Sequence, residues 1–406
     1  MKKVLNIETW ILLVIVLLTA CSDNSGGGSE EKEDCFLNIY VYAPGRPMLT
    51  RSDVGEITYR EIAESTVHSL KIWVFKHDGG SRVGYLDATP TFLNETDGQE
   101  MFRMKVEKEF ADNPVNVDVY VVANAESVGL TFGESATRDQ LDAAKIGESS
   151  FGVGNGIFVA NSMDSPVSAV PETGLPMSGV EKDQPIYGSY PTLRIGSQDA
   201  MTTVQLTRAV SKLRFVLCRI ASEDDKELVS IDGIQLDGEM IPTESYLMPG
   251  TYTYSSDPAA PTDYENNPIV YVNAENKLLK TAIPAVTNPM DYAYETQTAQ
   301  EYEDLINDAI RENKLYELGP TYLRESDKQL TGTIQYTVRA KNASENDPQA
   351  TTTFSMAAPG DFLRNRSWII YVFYMDAKIH VLTVTDMGVK SWTSDNIDDD
   401  RDLYNW

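Results

Sequence analysis

Short segments of alternating apolar and polar residues, separated by turn-forming residues, recur along most of the chain. Residues 35–43, CFLNIYVYA, place Leu37, Ile39 and Val41 on one face, which is the pattern of a half-buried strand. The 21 Tyr, 19 Pro and 26 Gly suit strands joined by many turns. The 406 residues are therefore predicted to form a mainly β fold, with two β-sandwich domains and a few short helices.

Two segments of the chain have helical patterns. Thr137 and Gln140 have the spacing of a capping box and predict a short helix that ends at Ile146. A second capping box precedes apolar residues spaced i, i+3, i+4 and i+7, which predicts a helix over residues 299–315. Residues 147–200 are rich in Gly, Pro and Ser, and they are predicted to form long loops and short edge strands.

The start of the chain carries an export and anchoring pattern. The apolar run of residues 10–20 is too short to span a membrane and has the length of a signal-peptide core. It ends in small residues before a cysteine, LTAC, which match a bacterial lipobox and predict acylation of Cys21. The predicted division of the chain is a lipoprotein signal peptide (1–20), a flexible tether (21–34), an N-terminal β-sandwich domain (35–200) and a C-terminal β-sandwich domain (201–406).

The charge of the chain excludes one large class of partners. Its 61 acidic and 34 basic residues give a formal net charge of −27. A surface this negative repels phosphate backbones, so no nucleic-acid partner is expected. The hydrophobic fraction of 42% indicates a packed core rather than a disordered chain.

The sequence shows no pattern of catalytic or metal-binding residues. His68, His77 and His380 are scattered, without an HExxH pair or the spacing of metal ligands. The glycines of residues 152–156 lack the spacing of a phosphate-binding loop, and the acidic residues 398–400 lack the register of an EF-hand. The chain is therefore not predicted to be an enzyme, and no cofactor or metal is expected.

Cysteine use leaves an alternative open. If Cys21 is acylated, Cys35 and Cys218 remain. They could form one disulfide in an oxidising compartment, or both could remain unpaired in the core. The unpaired arrangement is the favoured interpretation.

Several motifs follow one another in a recognisable order. The lipobox and the glycine-rich tether precede the first strand, an arginine-containing loop and a second strand, LKIWVF. Later motifs are VYVVANA (119–125), LPMSG (175–179), LTRAVSKLRFVL (206–217), RNRSWIIYVF (364–373) and VKSW (389–392). Together and in this order they resemble the Bacteroidetes fimbrial subunit (fimbrillin) superfamily, across nearly the whole chain.

The resemblance implies a fold and a route of assembly. The fold would be two transthyretin-like β-sandwich domains. The precursor would reach the outer membrane as a lipoprotein, and an arginine-specific, trypsin-like protease would then remove the first strand and loop, residues 35–51. The open groove would accept a strand from the next subunit, which would restore the ladder hydrogen bonds and the core contacts. Other fimbrial subunits are thus the expected partners, and a cell-surface fimbrium is the expected location.

The cleavage that this route needs is predicted between Arg51 and Ser52. Arg46 precedes a proline, a bond that trypsin-like enzymes cut poorly. Arg60 lies close to the predicted second strand. Arg51, in contrast, lies among small polar residues and a glycine, where nicking is expected.

The tail departs from the family pattern. A donor strand needs alternating apolar residues, but several aspartates interrupt the segment after Trp392. Burial of those carboxylates would be costly, which favours a tip or accessory subunit over a shaft subunit. The apolar tail residues that could fill pockets, as a weak donor strand, are Ile397, Leu403, Tyr404 and Trp406.

Two functions follow from these patterns. The favoured one is a structural or tip subunit of an adhesive fimbria, assembled by protease-triggered strand exchange. The alternative is a surface lipoprotein that binds glycans and does not polymerise. Such a lipoprotein should expose clustered aromatic residues, but ordinary strand and turn tyrosines are the favoured interpretation of the candidates Tyr252, Tyr254, Tyr264 and Tyr271.

Overall fold

The computed structural model describes residues 35–43, 64–91, 98–106, 116–147, 158–159, 170–185, 201–250, 263–293, 299–385 and 388–391. Within these residues the chain is mainly β, and the predicted mainly β fold of the sandwich class is confirmed. The residues predicted for lipidation, cleavage and strand donation lie outside the described part: Cys21, Arg51, Ser52, Ile397, Leu403, Tyr404 and Trp406.

The described residues form strands and short helices. In the first half the strands are β1 (Cys35–Tyr42), β2 (Leu70–Lys76), β3 (Arg82–Ala88), β4 (Gln99–Val106), β5 (Asn116–Ala123), β6 (Lys145–Gly147), β7 (Phe158–Val159), β8 (Met177–Pro185), β9 (Met201–Gln205) and β10 (Thr207–Arg208). In the second half they are β11 (Ser211–Ile220), β12 (Lys226–Leu236), β13 (Glu244–Tyr246), β14 (Ile269–Val272), β15 (Leu278–Leu279), β16 (Ala285–Val286), β17 (Tyr316–Leu323), β18 (Ser326–Ala340), β19 (Ala350–Phe362), β20 (Ser367–Met375), β21 (Lys378–Thr385) and β22 (Gly388–Ser391). The α-helices are α1 (Arg138–Asp142) and α2 (Ala299–Arg311).

Two sheets enclose the first hydrophobic core. One has the strand order β4-β1-β9 and the other has the order β10-β8-β5-β2-β3. Strands β2 and β5 are largely buried on both faces, because α1 and the loop before it cover the second face. There the Tyr120 hydroxyl donates to Asp142 of α1 (3.0 Å), and Trp73 Nε1 donates to the Gly133 carbonyl oxygen (3.2 Å).

Strands β11 and β20 form the centre of the second half and are buried on both faces. They pair in parallel, within the strand order β22-β21-β20-β11-β17-β7. On one face Phe215 and Ile370 belong to a core shared with the sheet β14-β12-β18-β19. On the other face Val216 and Tyr371 belong to a core shared with α2. The two cores explain why both strands have almost continuous apolar sequences.

Both predicted helices exist, but they are shorter than predicted. The capping box of Thr137 and Gln140 is formed, and α1 nevertheless ends at Asp142 instead of Ile146. The chain turns there because Lys145–Gly147 forms β6, which pairs with β13. Helix α2 likewise ends at Arg311 instead of residue 315.

The prediction of loops and short edge strands over residues 147–200 was wrong at β8. This nine-residue strand lies inside its sheet, between β10 and β5. Gly179 faces the opposite sheet at short distance, and a Cβ atom there would lie 2.5 Å from the Gln205 carbonyl oxygen of β9. The glycine that indicated a loop is therefore a strand residue that permits close packing of two sheets.

The two halves of the chain are linked closely. Strand β6 of the first half pairs with β13 of the second. The Ser178 hydroxyl donates to the Leu247 carbonyl oxygen (2.6 Å), and Tyr322 of β17 belongs to the first core. Strand β9 starts at the predicted boundary, yet its Val204 belongs to the first core as well. The division into domains at residue 201 remains a proposal.

Candidate functional site

Strand β1 is the middle strand of the sheet β4-β1-β9 and is hydrogen-bonded on both sides. It pairs antiparallel with β4, from Cys35 opposite Val106 to Tyr42 opposite Gln99. It pairs parallel with β9 over residues 38–42. Both neighbours lie far from β1 in sequence, so long-range contacts hold this strand in place.

The inward face of β1 is apolar and buried. Leu37, Ile39, Val41 and Ala43 are 0–6% exposed and belong to the first core, whereas Tyr40 on the other face is half-buried. The predicted alternation is therefore seen in the structure. Full burial of a large aliphatic side chain stabilises a fold by about 1.5–3 kcal/mol, so β1 supplies a sizeable part of this core.

The two neighbours of β1 form walls on either side of it. Phe102 and Met104 of β4 and Val204 of β9 are buried in the same core as the inward face of β1. Strands β4 and β9 are not paired with each other in this sheet, because β1 lies between them. We call the space between β4 and β9, which β1 fills, the first-strand groove.

Hydrogen bonds hold the C-terminal end of β1. The Ala43 amide donates to the Gly98 carbonyl oxygen (2.7 Å), and the Leu206 amide donates to the Tyr42 carbonyl oxygen (2.9 Å). Gln205 Nε2 donates to the Ala43 carbonyl oxygen (3.0 Å). These hydrogen bonds fix the position of the C-terminal end of β1.

The segment that follows β1 contains the predicted cleavage position. Residues 44–63 lie outside the described part of the chain, and Arg51 and Ser52 belong to them. The described chain begins again at Glu64, a few residues before β2.

Glu64 lies in a buried polar cluster. Its carboxylate forms an ion pair with Lys212 Nζ of β11 (2.8 Å) and accepts a hydrogen bond from the Tyr322 hydroxyl of β17 (2.5 Å). Arg208 of β10 donates through Nε to the Glu64 carbonyl oxygen (2.9 Å) and through its Nη2 to Ser65 Oγ (3.1 Å). Burial raises the pKa of Glu64, but the charges of Lys212 and Arg208 together with the hydrogen bonds from Lys212 and Tyr322 outweigh burial, so the pKa lies below its ordinary value.

The residues after Glu64 are held by Asn124, at the end of β5. Asn124 is fully buried and adopts a left-handed backbone conformation with φ of 55°. Its side-chain oxygen accepts from the His68 amide (2.8 Å) and the Ser69 amide (3.3 Å). Its Nδ2 donates to the Thr66 carbonyl oxygen (2.9 Å).

We call residues 64–69, which these contacts hold, the anchor segment. Sequence reasoning did not single out Glu64 or Asn124. The one available signal was an asparagine directly after an apolar strand, a residue type that tolerates positive φ. The partners of Glu64 are too distant in sequence for any local pattern to indicate them.

The histidines do not come together. His68 is exposed, and the His380 ring stacks on Phe373 with 5.0 Å between ring centroids. His77 Nδ1 lies 2.7 Å from Asp118 Oδ1, and this hydrogen bond raises the pKa of His77. Over the described ranges, no three His, Cys, Asp or Glu side chains are grouped so that they could hold a metal ion.

Cys218 is a free, buried thiol. Its Sγ lies 2.9 Å from the Tyr371 hydroxyl oxygen. Burial raises the pKa of the thiol to about 12, and the hydrogen bond with Tyr371 opposes this only in part. The structure therefore does not contain the disulfide between Cys35 and Cys218 that the sequence left open.

The candidate tyrosine cluster is not an exposed platform where the structure describes it. Tyr271 is buried, 8% exposed, on β14. Tyr264 is half-buried, donates to Asp327 Oδ1 (3.0 Å) and lies under Lys328 Nζ, 3.2 Å from the ring centroid. The other two tyrosine candidates, Tyr252 and Tyr254, lie outside the described residues. The glycines of residues 152–156 and the acidic residues 398–400 lie outside them as well.

Several solved structures that are similar to this chain are fimbrial or candidate cell adhesion proteins of Bacteroidetes. A candidate cell adhesion protein from Bacteroides eggerthii has 12% identity and a TM-score of 0.43, over 91% of this chain and 99% of that one. The tip fimbrial protein from Porphyromonas gingivalis, with a C-terminal truncation, has 14% identity and a TM-score of 0.41, over 86% and 99%. A fimbrial assembly protein from Parabacteroides distasonis has 12% identity and a TM-score of 0.40, over 90% and 100%.

These proteins are of the class that the sequence motifs resemble. No protein-family model matches the chain, and no curated protein matches it. In the described part of the chain, no helix combines the length and the apolar character needed to cross a membrane.

Proposed function

We propose that the chain is a structural or tip subunit of a cell-surface fimbria, which serves adhesion and assembles by protease-triggered exchange of its first strand. The observation that carries the proposal is the place of β1 in the fold. This strand is central in its sheet, supplies a fully buried apolar face and is followed directly by the segment that contains Arg51.

Loss of β1 would leave a defined acceptor site. Strands β4 and β9 would each lose one ladder of backbone hydrogen bonds, and the first-strand groove would expose the core side chains Phe102, Met104 and Val204. Unpaired backbone groups beside an apolar groove are the conditions that favour addition of a foreign strand. Since β1 places Leu37, Ile39 and Val41 inward, a strand that replaces it needs apolar residues at alternate positions.

One cleavage would both release and open the subunit. The precursor is held at the outer membrane through acylated Cys21, and the cut between Arg51 and Ser52 removes the tether and β1 together. The aspartates of the tail, between Ile397 and Leu403, disfavour strand donation by this chain. We therefore favour a tip or accessory position, in which the subunit accepts a strand and donates none.

The test is the processing of an Arg51→Ala variant in the native organism, with N-terminal sequencing of material sheared from the cell surface. The unchanged protein should start at Ser52, and Arg51→Ala should remain an uncut, monomeric lipoprotein. Arg46→Ala and Arg60→Ala are matched controls and should mature normally.

Three results would contradict the proposal. Arg51→Ala could still yield a product that starts at Ser52, or it could polymerise uncut. The unchanged protein could also remain on the surface with acylated Cys21 as its first residue, which would support the non-polymerising, glycan-binding lipoprotein instead.

A further inference from the structure

The anchor segment is the first described part of the chain after the cleavage region and leads directly into β2. In its sheet β2 lies between β5 and β3, and Ile72, Trp73 and Val74 are fully buried. Leu37 and Ile39 of β1 belong to the same core as these β2 side chains, so the departure of β1 removes packing from that core. Contacts that do not involve β1 must therefore hold β2 if the rest of the first core is to stay folded.

We propose that the anchor segment, through Glu64 and Asn124, confines the opening of β1 to the sheet β4-β1-β9, so that β2 stays in place when β1 leaves. This inference rests on the proposed function, but its test requires neither cleavage nor polymerisation.

The contacts of Glu64 lie outside the sheet that would open. Lys212 is on β11, Tyr322 is on β17 and Arg208 is on β10, and none of these strands belongs to the sheet β4-β1-β9. Departure of β1 therefore breaks none of these hydrogen bonds directly, although Tyr322 itself packs in the first core. The start of the anchor segment is tied to strands other than β1, and two of them, β11 and β17, belong to the second half of the molecule.

The contacts of Asn124 are independent of β1 as well. Asn124 follows β5, which is in the opposite sheet of the first core, and it also donates to the Leu175 carbonyl oxygen before β8 (3.0 Å). Between the two holding points, Val67 is buried in the first core with 1% exposure. Polar contacts thus hold both ends of the anchor segment, and its middle is packed.

The burial of the Glu64 pair makes the cluster sensitive to the loss of one partner. The Lys212 and Glu64 side chains are 11% and 8% exposed. A buried ion pair adds little relative to apolar residues, but removal of one charge leaves the other uncompensated, which is strongly destabilising. A substitution at Glu64 should therefore release the anchor segment, although Glu64 itself makes its side-chain contacts with strands other than β1.

The test measures the protection of backbone amides from hydrogen exchange in the full chain. Protection is compared between three regions: β1, the anchor segment together with β2, and β18 as the reference. Glu64→Gln removes the charge at constant shape, and Tyr322→Phe removes one hydroxyl donor. Glu265→Gln is the matched control, since Glu265 is also buried and paired with a buried Arg324, but in the second half.

In the unchanged chain, β1 should exchange through a local opening that leaves β2 protected. Glu64→Gln should lower the protection of residues 64–76 by about tenfold or more relative to β18, so that β1 and β2 open together. Tyr322→Phe should have a smaller effect in the same direction, and Glu265→Gln should leave the ratio of β1 to β2 exchange unchanged.

The proposal is overturned if β1 and β2 already exchange together in the unchanged chain, or if Glu64→Gln lowers protection equally in β2 and β18, or not at all. If Glu64→Gln does not fold, Tyr322→Phe decides by the same criteria. A failure of Arg51→Ala to block maturation would contradict the proposed function and leave this exchange pattern standing, so the two failures are distinguishable.

Discussion

The close approach of β8 and β9 depends on a single residue, Gly179. A Cβ atom at this position would lie 2.5 Å from the Gln205 carbonyl oxygen and 2.7 Å from Val204 Cγ1. Gly179→Ala is therefore expected to force the two sheets of the first core apart and to lower the free energy of unfolding by about 1–3 kcal/mol. Urea unfolding, followed by tryptophan fluorescence, measures this loss.

Gly147→Ala is the matched control for that measurement. Gly147 also lies in a strand, but a Cβ atom there would meet no atom within 4 Å. Its substitution should change stability by no more than about 0.5 kcal/mol. Equal effects of the two substitutions on the free energy of unfolding would contradict the prediction that the sheets are too close at Gly179 to accept a Cβ atom.

The Cys218 thiol should be unreactive in the folded protein. Burial limits access to it and raises its pKa to about 12, so the thiolate, which is the reactive form, is scarce near neutral pH. In a chain with Cys21→Ser and Cys35→Ser, a thiol reagent should modify Cys218 at least about a hundredfold more slowly before unfolding than in urea. Equal rates in both conditions would contradict the buried position of the thiol.

At the scale of elements, the inward face of β1 is the part of the site that is most open to test. Ile39 is fully buried, so Ile39→Ala should lower the free energy of unfolding by about 2–5 kcal/mol. Asn38→Ala, on the half-buried outward face, should cost at most about 0.5 kcal/mol. Both variants are compared on the full chain by urea unfolding. Similar losses in the free energy of unfolding would mean that the inward side chains do not hold β1 in its sheet.

Local patterns predicted the elements whose burial is periodic or continuous. The sequence pattern predicts strands over residues 35–43, 115–123 and 367–374, and β1, β5 and β20 lie close to these positions because their apolar residues are spaced as a strand requires. Helix α1 was predicted too long, and β8 was missed. In both cases the outcome depends on pairing with a distant strand, β13 for the residues after α1 and β5 for β8.

The candidate site was also predicted only in part. The alternation of Leu37, Ile39 and Val41 was visible in nine residues of sequence. The pairing of β1 with β9 and the cluster around Glu64 were not visible, because their members are brought together only by the complete fold. A sequence pattern reports which face of a strand is apolar, but it does not report which strand will lie next to it.

At the scale of the whole molecule, the membrane anchor precedes every step of the proposed assembly. Cys21→Ala should leave the signal peptide attached and lower the amount of protein at the cell surface, because the acyl acceptor is lost. Fractionation of cells, with detection of the precursor by its mass, measures both effects. Cys35→Ala is the control and should leave display unchanged, and normal display of Cys21→Ala would contradict the lipoprotein prediction.

The parallel pairing of β1 with β9 has a consequence for the order of folding. Tyr42 and Gln205 are 163 residues apart in the sequence, although a hydrogen bond joins them. During synthesis from the N-terminus, β1 emerges first, but its second neighbour emerges only after many further strands. Closure of so long a loop is entropically costly, so β1 is expected to insert among the last strands to fold. The chain would then complete its own sheet by a late docking event, kinetically similar to the arrival of a strand from another molecule.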